Sequence, residues 1–198
     1  MLIKDPDKIS NAFYNFFTNV GPNHAAAIPQ SKKQFTSYLQ NCPKRNSNSM
    51  FMTPTDASEI RQIINSLQPK KSTSQDNLSP LIIKLFGEEI AMPLSILINK
   101  SMFEGIVPDE LKIVKIIPVH KSNAKDDISN YRPISLLPSV SKILGKIVYK
   151  RTFHFIQSNK ILNNNQYGFR EKHSTINAIT ALTGDVIKAL ENKVFSWI

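Results

Sequence analysis

The chain has a single cysteine, Cys42, among its 198 residues. An internal disulfide is therefore impossible, and zinc sites built on several cysteines are not expected. Histidine is as scarce: His24, His120, His154 and His173 stand far apart, without metal-ligand spacing. No apolar run approaches the ~18–20 residues that a membrane-spanning helix needs. Residues 1–10 carry Asp5 and Asp7 and lack the apolar stretch of a signal peptide. The expected setting is intracellular, cytoplasmic or nuclear, and not secreted. The phosphate loop GxxxxGK with Ser or Thr, GxGxxG, HExxH and GxSxG are all missing. Their absence sets aside the common NTPase, dinucleotide, zinc-protease and hydrolase classes. Charged residues make up only 20% against 41% hydrophobic, so the chain can bury a core and is not a highly charged disordered coil.

Acid is in short supply. Lys and Arg total 25 against 15 Asp and Glu, a net charge of +10. The excess gathers between residues 111 and 172, where twelve basic residues meet only Asp126, Asp127 and Glu171. Such a field attracts polyanions, nucleic acid first among them.

The expected class is α+β, mostly helical, with one short β-hairpin. Asp5-Pro6 reads as a helix start, and Ile9, Phe13, Phe16, Phe17 and Val20 repeat at helical spacing until Gly21-Pro22 ends the run. Residues 22–54 are polar and read as a linker, with one short turn at 35–39. Asp56 and Glu59 have capping-box spacing and open a helix with Ile60, Ile63, Ile64 and Leu67 on one face, closed by Pro69. A polar loop covers 70–79, and Ser79-Pro80 starts a helix over 81–86. Gly87 and Pro93 are expected to divide it from another that ends near Gly105.

Residues 113–119, rich in β-branched side chains, form the clearest strand, and Pro118 within it marks an edge. A polar turn at 122–127 leads to a second extended segment over 131–137, with Lys121 near the turn. The longest helix follows Leu137-Pro138-Ser139, with Val140, Ile143, Leu144, Ile147, Val148 and Phe155 as its stripe. Lys142, Lys146 and Lys150 lie four apart on a face expected to point away from it. A last helix spans 174–192, and 194–198 read as the start of a buried strand. Asp126-Asp127 reads as a solvated turn pair, Asp185 as a surface residue, and Cys42 has no activating neighbour in sequence.

At the hairpin the pattern becomes specific. Residues 111–121 (LKIVKIIPVHK) and 130–137 (NYRPISLL), then Ser141-Lys142-Ile143-Leu144 and Gln166-Tyr167-Gly168-Phe169-Arg170 followed by Ser174-Thr175, resemble the fingers of reverse transcriptases from non-LTR, jockey-like retrotransposons. Upstream, Asn11-Ala12-Phe13, Asn15-Phe16-Phe17, Glu59-Ile60, Lys70-Lys71-Ser72 with Asp76, and Asn99-Lys100-Ser101 before Gly105 fit the stretch leading into that domain.

The resemblance implies an organisation of N-terminal helix and linker over 1–54, a helical part of the fingers over 55–110, and hairpin, long helix and palm entry over 111–198. It implies RNA template, DNA primer and deoxynucleoside triphosphate as partners, no membrane, and a palm and thumb supplied by the same polypeptide. It leaves the oligomeric state open. Lys121 and Arg132 match the family's triphosphate-contacting positions. Gln166, Gly168, Phe169 and Arg170 match the segment along the template and nucleotide pocket. Lys115, Lys142, Lys146 and Lys150 are candidates for nucleic-acid backbone contact. Cations suit both tasks, because guanidinium and ammonium groups bind phosphate oxygens through charge-assisted hydrogen bonds.

Three departures stand out. Ser74 occupies a position where the family usually has a glycine, so a looser turn is expected. Gly145 replaces a usual glutamate and weakens the long helix by roughly 1 kcal/mol relative to Ala. The family's two Mg²⁺ ions are held by palm aspartates on strands after the 174–192 helix, and the sequence ends at Ile198 within the run expected to become the first of them. No catalytic or metal-binding residue is assigned here, and this chain alone is expected not to polymerise DNA. The alternative is a non-catalytic, basic nucleic-acid-binding module. A third reading is a dimerisation piece built on Phe13, Phe16 and Phe17. Exposed apolar residues, Phe195, Trp197 and Ile198 among them, are expected to make the isolated chain aggregation-prone.

Overall fold

In the computed structural model of the chain, the described residues are 4–29, 34, 36–37 and 48–192. Cys42, most of the 35–39 turn and the strand expected at 194–198 lie outside them. The chain divides into two compact units, residues 1–45 with 51–151 and residues 46–50 with 152–198. The expected α+β class holds: six α-helices and one two-stranded antiparallel sheet occur among the described residues.

In the first unit, Asp5 caps helix α1 (Pro6–Ala27) by accepting the amides of Asp7 at 2.9 Å and Lys8 at 3.2 Å. The helix does not stop at Gly21-Pro22. Pro22 lies inside it, and the alanines at 25–27, the best helix formers, carry it one turn and more beyond the expected end. Helix α2 (Ala57–Ser66) begins as expected, with Asp56 accepting the Glu59 amide at 2.7 Å. Lys84 then caps its far end, donating to the carbonyls of Asn65 and Leu67. Ser79 caps the short α3 (Pro80–Leu85).

Helix α4 (Gly87–Glu104) starts directly after it. Gly87 allows a close approach: a Cβ there would come to 3.2 Å from the Ile64 side chain, which would have to shift, so glycine lets α4 start tightly against α2. Pro93 does not divide this helix, because burial of Ala91, Ser95 and Ile98 outweighs the one backbone hydrogen bond that proline removes. Gly105, at φ +68°, ends it in the left-handed conformation.

The core lies among α2, α4 and helix α5 (Ser139–Ser158). Ile60, Ile64, Ile98, Ile143 and Ile147 are at most 1% exposed. Each such side chain stabilises the fold by roughly 1.5–3 kcal/mol relative to exposure. Among the described residues, no buried side-chain nitrogen or oxygen lacks a partner.

The lysine row of α5 does not face away from the stripe. Steps of four residues drift around a helix of 3.6 residues per turn, so the row borders the apolar face. Lys146 donates to Ser66 Oγ at 2.8 Å and Lys150 to Glu59 at 2.7 Å, both on α2. Arg151 closes the unit with two bonds to the same Glu59 carboxylate, at 2.6 and 2.7 Å.

In the second unit, α5 ends and a loop leads to α6 (Thr175–Glu191), capped by Ser174. Within this unit α6 buries no residue; Ile176 is 75% exposed and Leu190 60%. Among the described residues, no helix is long and apolar enough to cross a membrane.

Candidate nucleic-acid interface

Strands β1 (Lys115–His120) and β2 (Tyr131–Leu136) pair antiparallel, with Val119 opposite Arg132 and His120 opposite Tyr131. The Lys121 amide donates to the Asn130 carbonyl at 2.7 Å, which extends the register by one hydrogen-bonded pair. Such pairs alternate with non-hydrogen-bonded ones, so Pro118 and Pro133, directly opposite each other, fall at a non-hydrogen-bonded pair. Their missing amides face the open edges, and the ladder loses nothing. Both strands are edges, as Pro118 indicated.

The period of two then sorts the side chains. One face carries Lys115, Ile117, Val119, Lys121, Arg132 and Ile134; the other carries Ile116, Pro118, His120, Tyr131 and Pro133. Lys121 and Arg132 are diagonal neighbours, about 7–8 Å apart at the backbone. Lys115 shares their face, farther down the strand. All three are exposed, and no hydrogen bond or ion pair engages their side chains among the described residues. Ile117, Val119 and Ile134 lie exposed between them.

The tip is tied to its own turn. Three successive carbonyls of the 122–127 turn accept bonds from side chains at the strand ends. His120 Nε2 donates to Asn123 at 3.1 Å, Asn130 to Ala124 at 2.9 Å, and the Tyr131 hydroxyl to Lys125 at 2.8 Å. Asp127 accepts the amide and hydroxyl of Ser129, which hold its carboxyl below the usual range. It is a turn cap, and its partner Asp126 is exposed. The base of the hairpin is fixed by Ser74, only 6% exposed, whose hydroxyl donates to the Leu136 carbonyl at 2.6 Å.

In the second unit, Gln166 and Phe169 project from the loop after α5, with Gly168 and Arg170 beside them. Phe169 takes φ +57° and is fully exposed. A bulky residue in that region costs on the order of 1–3 kcal/mol and persists where the surroundings impose it. Here Gln166 donates its amide to Asn163, and His173 to the Arg170 carbonyl, while Tyr167 packs on His173 at 5.8 Å. The loop is thus pinned on both sides of an outward phenyl ring. A Cβ on Gly168 would meet nothing within 4 Å, so packing within the chain does not require glycine there.

No family model matches the chain. Its sequence is 27% identical over 195 residues to a probable RNA-directed DNA polymerase from transposon BS of Drosophila melanogaster, covering 98% of this chain and 21% of that protein. It is 28% identical over 149 residues to an RNA-directed DNA polymerase from the mobile element jockey of the same fly, covering 75% and 16%. A probable RNA-directed DNA polymerase from its X-element is 24% identical over 147 residues, covering 74% and 16%. The chain resembles the reverse transcriptases of non-LTR retrotransposons. It spans about a fifth or less of the length of these curated relatives.

The residues that carry this resemblance have two fates. Some hold the fold. Glu59 anchors Arg151 and Lys150; Asn99 exchanges two 2.8 Å bonds with the Thr55 backbone; Ser141 donates to Leu111; Ser101 donates to Ile106. Glu59, surrounded by Arg151 first, then Lys150 and Thr55, has its carboxyl pulled down to about 2 despite burial. The others have no bond within the described structure: the side chains of Lys121, Arg132, Gln166, Phe169 and Arg170. Of the lysines on α5, Lys142 alone joins this second set.

Sequence reading missed the Arg151–Glu59 pair, because 92 residues separate its members, and missed Ser74 as a tie. The capping-box spacing singled out Glu59, yet its side chain serves Arg151. Among the described residues no group of three His, Cys, Asp or Glu side chains could hold a metal ion.

Proposed function

We propose that this chain is fingers-region structure of a retrotransposon reverse transcriptase, and that its hairpin holds the triphosphate of an incoming deoxynucleotide. The observation that carries this reading is the split just described. Lys121 and Arg132 belong to the family pattern and share one exposed hairpin face, and their side chains make no hydrogen bond or ion pair among the described residues. A guanidinium fork and an ammonium on a stiff support can grip phosphate oxygens by charge-assisted bonds. Gln166, Gly168, Phe169 and Arg170 are assigned to template and nucleotide. Phe169 offers an outward ring for stacking, worth about 1–3 kcal/mol per base. Lys115 and Lys142 are assigned to the nucleic-acid backbone, adding affinity without sequence choice. Lys146 and Lys150 would have to leave Ser66 and Glu59 to join them.

RNA template annealed to DNA primer is the proposed macromolecular partner. Mg²⁺ belongs to the complete polymerase in this reading, and phosphate binding by Lys121 and Arg132 is derived without it. Titrating deoxyadenosine triphosphate into ¹⁵N-labelled chain tests the proposal: amide shifts at 115–121 and 130–134 are expected, lost in Lys121→Ala/Arg132→Ala. Shifts confined to other segments, or none at millimolar ligand, would overturn it. Primer extension with Mg²⁺ is expected to give no incorporation above a no-protein control.

The alternative is a basic binding module without catalysis, supported by the charge excess between residues 111 and 172. The reading frame after the Ile198 codon decides between them: an aspartate-bearing strand and a later Ala-Asp-Asp hairpin support the polymerase, and a stop codon the module.

A further inference from the structure

The sheet has only two strands, and a lone hairpin is marginally stable in water at best. Something must hold this one if its cations are to stay in place. Its base is tied by Ser74. On the face opposite Lys121 and Arg132, His120 and Tyr131 stack edge-on at 5.3 Å and bond the turn carbonyls of Asn123 and Lys125, while Asn130, paired with Lys121, takes the Ala124 carbonyl between them. Against this cluster stands α1. Phe13 meets Tyr131 edge to face at 4.9 Å and 68°, and is itself backed by Phe17 at 5.6 Å, which touches Phe16. His120 and Tyr131 each lie next in sequence to one of the two cations, pointing the other way.

We infer that α1 is the brace of the phosphate-gripping hairpin, and that Phe13, acting through Tyr131, is a positioning residue for Lys121 and Arg132. The inference rests on the triphosphate reading above. The aromatic contact fixes the backbone from which both cations project, so less conformational freedom is lost when phosphate binds. The same contact gives the aromatic face of α1 a use within the chain.

Affinity for deoxyadenosine triphosphate with Mg²⁺, measured by calorimetry on the full chain, tests this. Phe13→Ala is expected to weaken binding roughly two- to tenfold, the scale of one aromatic pair. Phe13→Tyr, which keeps the ring, is expected to restore it, while an aliphatic Phe13→Leu does not. Tyr131→Phe, which removes only the hydroxyl bond to Lys125, supplies a milder variant should Phe13→Ala unfold, and is expected to weaken binding as well. If Arg132→Ala weakens binding and neither the Phe13 nor the Tyr131 variants do, the brace is wrong and the triphosphate reading stands. If Arg132→Ala changes nothing, the triphosphate reading fails and the brace with it.

Discussion

Glu59 is held as an anion by Arg151, Lys150 and Thr55, and its carboxyl titrates near 2, well below the usual 4.5. The unfolded chain therefore binds the extra proton first as pH falls. The stabilisation from this group is complete above about pH 4.5 and is lost as pH drops towards 2. Its size is on the order of 3 kcal/mol. Thermal melts of the wild type should fall steeply across that window, and Glu59→Gln should flatten the fall while lowering stability at neutral pH by about 3–5 kcal/mol. A variant as stable as the wild type at pH 7 would refute the clamp. At this scale the sequence singled out residues without separating their tasks. Glu59 and Asn99 stood in the family pattern beside Lys121 and Arg132, and only the fold shows that the first pair is spent on internal bonds. Nothing local pairs Glu59 with Arg151, and the usual glycine at Ser74 hid a hydroxyl that fastens the hairpin.

Elements were more legible than residues. Caps at Asp5, Asp56, Ser79 and Ser174 fixed four helix starts, because each needs only a side-chain oxygen beside its own first turn. Prolines misled at Pro22 and Pro93, where neighbouring alanines or core burial outweighed one lost bond. Gly145 lies exposed in α5, and a Cβ there would meet nothing within 4 Å. Gly145→Ala should therefore raise stability by about 0.5–1 kcal/mol, read as a shift of the denaturant midpoint. A loss would mean that the position has a role the helix does not show. In the hairpin, Pro118 and Pro133 keep both outer edges short of donors, which discourages further strands from pairing there. Pro118→Val with Pro133→Val should increase self-association in sedimentation; an unchanged distribution would contradict that assignment.

For the whole chain, a net charge of +10 opposes association while exposed apolar side chains promote it. Ile176, Ile179, Leu182 and Leu190 expose one side of α6, so heating at high concentration is expected to end in aggregation. A sharp, reversible melt would show otherwise. The central claim is that the cations left unpaired by the fold are the ones that meet nucleic acid. Its most direct measurement is the affinity for an RNA template annealed to a DNA primer at stepped salt, in the wild type and in Lys115→Ala/Lys142→Ala. The account predicts log affinity falling linearly with log salt, and a slope shallower by roughly 0.7–0.9 for each cation removed. An affinity indifferent to salt, or a slope unchanged by the double substitution, would contradict it.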